Sequence, residues 1–163
     1  MSIEIRPATE GDRTVIRGLL EDSGLPTEDL EDEAPEFFLA TEGGKLVGIG
    51  ALQRFGEVAL LRSIAVLADE RGKGWGRQIV AKLERAAIQA GVRKLVLLTL
   101  TAADFFERLG YRRVERSGVV GPICDCAEFR SLCPASAVCM SKELRASEPT
   151  GSGAVPRIQR REP

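Results

Sequence analysis

Residues 69–80, DERGKGWGRQIV, set Gly72, Gly74 and Gly76 among Arg71, Lys73, Trp75 and Arg77, just ahead of an apolar helical stripe. Glycine weakens strands and helices alike, so this spacing implies a backbone that turns sharply and comes close to something. Two familiar nucleotide motifs fail here. The Gly-Lys-Ser/Thr ending of a Walker A loop is absent, and the dinucleotide pattern G-x-G-x-x-G would need glycine where the chain has Arg77. What fits is R-x-x-G-x-G, read as Arg71, Gly74 and Gly76, between a strand and a helix. Successive N–H groups in such a loop converge on a concave nest, and the helix start adds about half a positive charge. Together they make a pyrophosphate site, with Arg71, Lys73 and Arg77 as peripheral charges. The alternative is a plain strand-to-helix turn with its basic residues in solvent.

The elements around this loop read in two halves. Ile3, Ile5 and Pro7 suit a short first strand, and residues 9–23 suit a helix with Val15, Ile16, Leu19 and Leu20 on one face, ended by Gly24. An acidic connector, LPTEDLEDEAPE, follows and has room for a second short helix. EFFLAT, the tight turn EGGK, KLVGIGALQRF, a turn at Gly56 and EVALLRSIAV then form an antiparallel meander. Past the glycine loop, Ile79, Val80, Leu83, Ala86, Ala87 and Ala90 make a helical stripe that stops at Gly91. RKLVLLTL has the apolar character of a strand buried on both faces. TAADFFERLG reads as a short helix capped by Thr101, YRRVER as a strand and SAVCMSKEL as a final strand. The expected organisation is one domain over residues 1–145 and a disordered tail over 146–163.

Composition narrows the function classes. With 23 basic and 24 acidic residues the chain is nearly neutral, which argues against a nucleic-acid partner. Its polar start and the lack of a long apolar run give no expectation of a signal peptide or membrane span, so a cytoplasmic protein with reduced cysteines is expected. There is no histidine, which removes Ser-His-Asp and Cys-His triads and the usual near-neutral base.

The block from LRSIAV through RGKGWGRQIV to ADFFERLGY, with the strand–helix order over residues 1–145, resembles the GNAT superfamily of acyl-CoA N-acyltransferases. The resemblance implies an α/β (α+β) fold: a mixed, mostly antiparallel central sheet flanked by helices, in which two splayed parallel strands form the acetyl-CoA cleft. It further implies that Ile64, Ala65 and Val66 pair with the pantetheine arm. The pyrophosphate would rest on Arg71, Gly72, Lys73, Gly74, Trp75, Gly76 and Arg77, while Thr99, Ala103 and Phe106 line the thioester end. A small-molecule amine is the implied partner, and a homodimer is common in such proteins. LTLTAADFFERLGY and FRSLCPASAVCMSKEL are similar to acetyltransferases found with bacterial arsenic-resistance genes, and more loosely to those acting on the α-amine of amino acids.

Acetyl transfer to an amine needs a donor for the developing oxyanion, and the backbone N–H of Val66 is the expected one; otherwise it makes an ordinary ladder bond. Many members of the superfamily carry a tyrosine acid where this chain has Phe106, and Tyr111 comes after Gly110 instead. Phe106 is then pocket lining or core, and water or a hydroxyl serves a thiolate with a pKa of about 8.5. For a base the candidates are Glu57, which equally fits a solvated strand end, and Ser63 acting through water. Arg62, in an otherwise apolar strand, must snorkel out or meet an anion. Its fork suits a carboxylate, phosphinate or arsenical, with Ser63 beside it, or a structural ion pair. Trp75 stacks on adenine or covers the helix start. Cys124, Cys126, Cys133 and Cys139 are soft-ligand types, but their spacing matches no common zinc module, so no metal is expected and Cys139 is read as core.

Overall fold

The computed structural model describes residues 3–25, 27, 35–119, 121, 123, 126 and 136–144. In chain order these form β1 (Glu4–Pro7), α1 (Arg13–Asp22), β2 (Glu36–Glu42), β3 (Lys45–Phe55), β4 (Val58–Val66), α2 (Trp75–Gln89), β5 (Lys94–Thr99), α3 (Ala103–Arg108), β6 (Arg112–Arg113) and β7 (Val138–Glu143). Single 3-10 turns lie at Glu10–Asp12, Ala68–Glu70 and Arg116–Gly118. The strands make one seven-stranded sheet in the order β1-β2-β3-β4-β5-β7-β6. Two-residue turns, Gly43–Gly44 and Gly56–Glu57, fold β2, β3 and β4 back on one another, as the turn residues predict. Between β4 and β5 the chain crosses over through α2, so among the described strands that pair alone is parallel. The result is the mixed, mostly antiparallel sheet flanked by helices that the sequence led us to expect.

Helix α2 buries Ile79, Val80, Leu83 and Ala87 against Leu52, Ala59, Leu61, Leu95 and Leu97. It ends where the Val92 N–H reaches back to the Ala87 carbonyl around Gly91. Helix α1 covers Leu39, Ile49 and Ala65 with Ile16, Leu19 and Leu20. Val15, expected on that face, is instead 48% exposed. Two further expectations shift locally. The hydroxyl that receives the Ala102 N–H at the start of α3 belongs to Thr99, at 3.0 Å, and not to Thr101. YRRVER contributes only Arg112–Arg113 to the sheet, because the chain turns at Arg116–Gly118. The expected boundary at residue 145, the tail beyond it and most of the acidic connector lie outside the described residues.

One irregularity organises the centre of the sheet. From Ile49 to Ala51, β3 advances two residues, whereas β4 runs three, from Ala65 back to Arg62. The extra residue is a bulge at Ser63–Ile64, and Ser63 has φ +61°, the positive value that only Ser63 has among the described non-glycine residues. The bulge turns Ile64 toward α2, so the strand opposite must be bare. A Cβ on Gly50 would lie 2.5 Å from Leu83 Cδ1 and 2.8 Å from Ile64 Cδ1. One on Gly48 would lie 2.6 Å from the Ala65 carbonyl oxygen and 2.8 Å from Ile79 Cδ1. These two glycines let α2 settle directly on the β3 backbone.

Gly48→Ala should therefore destabilise the fold by about 1–3 kcal/mol, the usual penalty of overpacking, as read by urea denaturation. Gly18→Ala in α1, where nothing lies within 4 Å of the added methyl, should instead stabilise it by roughly 0.5–1 kcal/mol.

Candidate active site

Strands β4 and β5 stay in register for three pairs, Val58–Lys94, Ala59–Leu95 and Leu60–Val96, and then separate. Beyond that point β5 continues only against β7, from Leu97–Met140 to Thr99–Val138. Residues 61–66 of β4 thus face a gap on that side. The Leu67 N–H bonds the Val47 carbonyl at 2.9 Å, and Val66 stands opposite Gly48. In an antiparallel ladder this makes Val66–Gly48 a non-hydrogen-bonded pair, whose own N–H and C=O point away from the neighbour. The amide of Val66 is accordingly directed toward the gap, and its carbonyl accepts from Arg71 Nε at 3.2 Å. A cleft of about 780 Å³ occupies the opening, walled by Arg62 to Val66 on one side and by residues 98–102, Phe105 and Phe106 on the other.

The glycine loop closes one end of this cleft. A second hollow of about 490 Å³ lies over it and shares Val66, Arg71, Gly76 and Phe105 with the first, so the two run together. Gly72 (φ +81°) and Gly74 (φ +85°) are left-handed with open space around them, and they alternate with Lys73 and Trp75 to curve the N–H groups into a nest. Gly76 acts differently: a Cβ there would touch the Phe105 ring at 3.4 Å, so its bareness admits that side chain to the wall. The Gln78 N–H bonds the Gly74 carbonyl, which leaves the amides of the first turn of α2 facing the hollow.

A buried carboxylate that borders the hollow is bonded into the loop. Glu70 is 4% exposed and takes Lys45 Nζ on one oxygen at 2.9 Å, with Lys73 Nζ (3.2 Å) and Trp75 Nε1 (3.1 Å) on the other. Hydrogen bonds from Lys45, then Lys73 and Trp75, hold its pKa down at about 2. Any stability it contributes is therefore complete above its ordinary value of 4.5 and is lost as pH falls toward 2. Trp75 is buried at the helix start, anchored by its indole N–H, and also borders the hollow. Lys73, expected as a free peripheral charge, is paired to Glu70, while Arg77 is exposed and lines the hollow together with Arg108.

On the β4 wall, Arg62 is 3% exposed, lines the cleft, and donates to Gln53 Oε1 (3.1 Å) and Ser63 Oγ (3.3 Å). The register places it on the face shared with Leu60, Gln53 and Ala51. Its guanidinium is thus held within the protein and borders the cleft at once. The end of α1 supplies a further wall, Ser23 to Leu25 with Thr27, which sequence reasoning did not anticipate. Glu70, Phe105 and Arg108 were missed as well. Phe105 alone had a signal, its place beside Phe106 in a helix following the buried strand.

Some expected residues are not brought together. Glu57 sits in the exposed turn before β4, at the end opposite the bulge; six residue steps along an extended strand put it about 20 Å from Ser63. Ala103 is not among the residues lining the cleft, where its neighbour Ala102 stands instead. Thr99 and Phe106 do line it, and Phe106 also joins the core. Tyr111 faces away: its hydroxyl donates to Glu84 at 2.8 Å, and burial, then the Glu84 charge, pushes its pKa well up. Lys142 Nζ completes that cluster, bonding Glu84 at 3.1 Å and the Leu109 carbonyl at 2.8 Å. Edge-on ring contacts then run from Tyr111 to Phe106 (5.5 Å) and on to Phe105 (5.0 Å). Cys126 and Cys139 are buried with Leu60, Val96 and Ile123, which bears out the core reading of Cys139. Cys124 and Cys133 lie outside the described residues.

Comparisons with known proteins agree with this geometry. The sequence model of the acetyltransferase (GNAT) family matches residues 5–111. An uncharacterized N-acetyltransferase of Chlorobaculum tepidum is 36% identical over 90 residues, 55% of this chain and 57% of that protein. An amino-acid acetyltransferase of Aeromonas salmonicida is 32% identical over 106 residues, 62% of this chain and 24% of that protein. The chain thus spans little more than half the length of the first and about a quarter of the second. Among solved structures, a Mycobacterium tuberculosis protein in complex with CoA superposes with a TM-score of 0.72 at 25% identity, over 87% of this chain and 99% of that one. N-acetylglutamate synthase from Neisseria gonorrhoeae, complexed with coenzyme A and L-arginine, shares the fold with a TM-score of 0.72 at 21% identity, over 88% of this chain and 33% of that one. Since the family match covers well over half of the 163 residues, the protein belongs to the GNAT acetyltransferase family.

Proposed function

We propose that the chain is an acetyl-CoA-dependent N-acetyltransferase whose acceptor is the amine of a small zwitterion: an amino acid, or an arsenic- or phosphorus-containing analogue of one in a detoxification role. The observation that carries this reading is the cleft itself, which joins a glycine nest at one end to a buried arginine, Arg62, beside the strand bulge. Acetyl-CoA supplies an acetyl group activated as a thioester. The chain's part is to hold the phosphates on the backbone of residues 72–77, with Arg77 and Arg108 alongside, and the pantetheine arm along Ile64 to Val66. The Val66 N–H meets the carbonyl oxygen as it gains charge, a donor already oriented by the ladder on its far side. The zwitterion's ammonium first gives one proton through Ser63 and water to solvent. The amine nitrogen then bonds to the acetyl carbon as the carbon–sulfur bond breaks, and the nitrogen's second proton passes through water to the sulfur, which leaves as CoA thiol. Neither Glu57 nor Tyr111 has a place in this scheme.

The acceptor's anionic group is assigned to Arg62. Gln53 and Ser63 hold the guanidinium in a fixed plane, which suits a planar carboxylate or a tetrahedral oxyanion. The amino-acid acetyltransferase and the CoA-bound neighbour support both halves of the reading. A cytoplasmic location, a homodimer and a transferase domain over residues 1–145 complete the proposal. No helix among the described residues is long and apolar enough to cross a membrane.

An acceptor screen tests the reading directly. Free amino acids and their arsenic and phosphorus analogues are incubated with acetyl-CoA, and thiol release is followed. Acceleration by at least one zwitterion supports it; tight acetyl-CoA binding with no acceptor would instead make the chain a binding module. With an acceptor in hand, Arg62→Lys should lower acceptor kcat/KM by about tenfold or more while the acetyl-CoA KM stays within about twofold. Equal loss toward both substrates would mark a purely structural arginine. Tyr111→Phe and Glu57→Gln should each leave kcat within about twofold, the first at a stability loss near 1 kcal/mol from its missing hydrogen bond.

A further inference from the structure

A carboxylate at a loop that receives phosphates opposes their charge. Here Glu70 is buried and borders the same hollow as Arg71, Gly72, Gly74, Trp75 and Gly76. Two ammonium groups answer it: Lys45 comes from the first position of β3 on one oxygen, and Lys73 from within the loop on the other. One carboxylate against two lysines leaves a single net positive charge, so the cluster does not repel an anion. Its geometry does more than cancel charge. The Glu70 N–H is itself fixed on the Leu67 carbonyl at 2.8 Å, at the point where β4 ends. From there the carboxylate reaches Trp75, the first residue of α2, whose N–H groups at positions 75–77 form the floor of the nest. The side chain therefore spans the whole loop, from the end of β4 to the start of α2.

We infer that Glu70 is a positioning residue for the cofactor's phosphates: it sets the rotation of the first turn of α2 through Trp75 and removes Lys73 from direct phosphate contact. This inference rests on the reading of the loop as the acetyl-CoA pyrophosphate site. Lys73 then acts through the carboxylate, as a clamp on the loop, and the phosphates meet backbone amides with Arg77 and Arg108 at the margin. Lys45 gives the clamp a third anchor from outside the loop, its side chain 71% exposed except where its tip meets Glu70. The carboxylate is the acceptor that ties the indole N–H of Trp75 to the end of β4.

The test compares acetyl-CoA with acetyl-pantetheine, which carries the thioester but no phosphates. Initial rates of Glu70→Gln, Lys73→Met and the double variant are measured with both donors, alongside thermal melts. Glu70→Gln should raise the acetyl-CoA KM about tenfold, the equivalent of one charge-assisted hydrogen bond, with kcat and the acetyl-pantetheine KM within about twofold. Lys73→Met should raise the acetyl-CoA KM by less, and the double variant should be no worse than Glu70→Gln alone. Additive losses would mean that Lys73 binds phosphate itself and would overturn the inference. So would equal losses with both donors, which would mark a merely structural carboxylate. Should Glu70→Gln fail to fold, Lys45→Met severs the same carboxylate from its exposed end; an unchanged acetyl-CoA KM there refutes the clamp. If the unsubstituted protein does not bind acetyl-CoA, the function proposed above fails and takes this inference with it; normal binding with indifferent variants removes this inference alone.

Discussion

The divergence of β5 from β4 after Leu60–Val96 is the constraint on which the rest of the molecule depends. A parallel pair normally continues until one strand ends, because each lost rung strands two backbone groups. Here the loss is offset on β4 by a bulge that bends the strand and by an antiparallel partner, β3, that keeps its other edge paired. The cleft is the space left by the missing rungs. The backbone of Val66, turned away from β3, is the part of the sheet that a ligand can complete. The bulge also explains an otherwise odd feature of β3. By rolling Ile64 to the α2 side, it leaves no room for a side chain at position 50, while the Ala65 carbonyl and Ile79 leave none at 48, and glycine occupies both.

The electrostatics of the loop follow from the same crowding. Trp75 enters the core at the first turn of α2, and a buried indole N–H needs an acceptor. Glu70 is that acceptor, and a buried carboxylate in turn needs cations, which Lys45 and Lys73 provide. One aromatic residue at the helix start thus draws in a carboxylate and two lysines. The positive character of the nest then depends on oriented amides and on Arg77 and Arg108 more than on the loop's own lysine.

The order of elements was legible because local chemistry dictates it. EGGK and the turn at Gly56 dictate hairpins, and the stripe from Ile79 to Ala87 dictates a helix. The sharp turn of the loop into α2 was legible too, since glycines so close to a helix start favour left-handed backbone. What could not be read depends on contacts between distant residues. Lys45 and Glu70 lie 25 positions apart in sequence, and nothing local announces that they meet. Glu57 misled through proximity in sequence: it borders the right strand but at the far end. Gly74 and Gly76 look equivalent on paper, yet one serves a left-handed turn and the other the approach of Phe105. Thr99 and Thr101 both suit a cap, and only the path of β5 decides between them.

The two walls of the cleft differ in how they are held. The β4 wall belongs to a continuous hydrogen-bonded meander. The α3 wall is a helix of six residues, too short to persist alone, suspended by the ring contacts of Phe105, Phe106 and Tyr111 and moored behind by Glu84 and Lys142. Parting the α3 wall would break aromatic edge contacts, whereas parting the β4 wall would break ladder hydrogen bonds. A molecule seated between them would rest against a ladder on one side and a row of ring edges on the other.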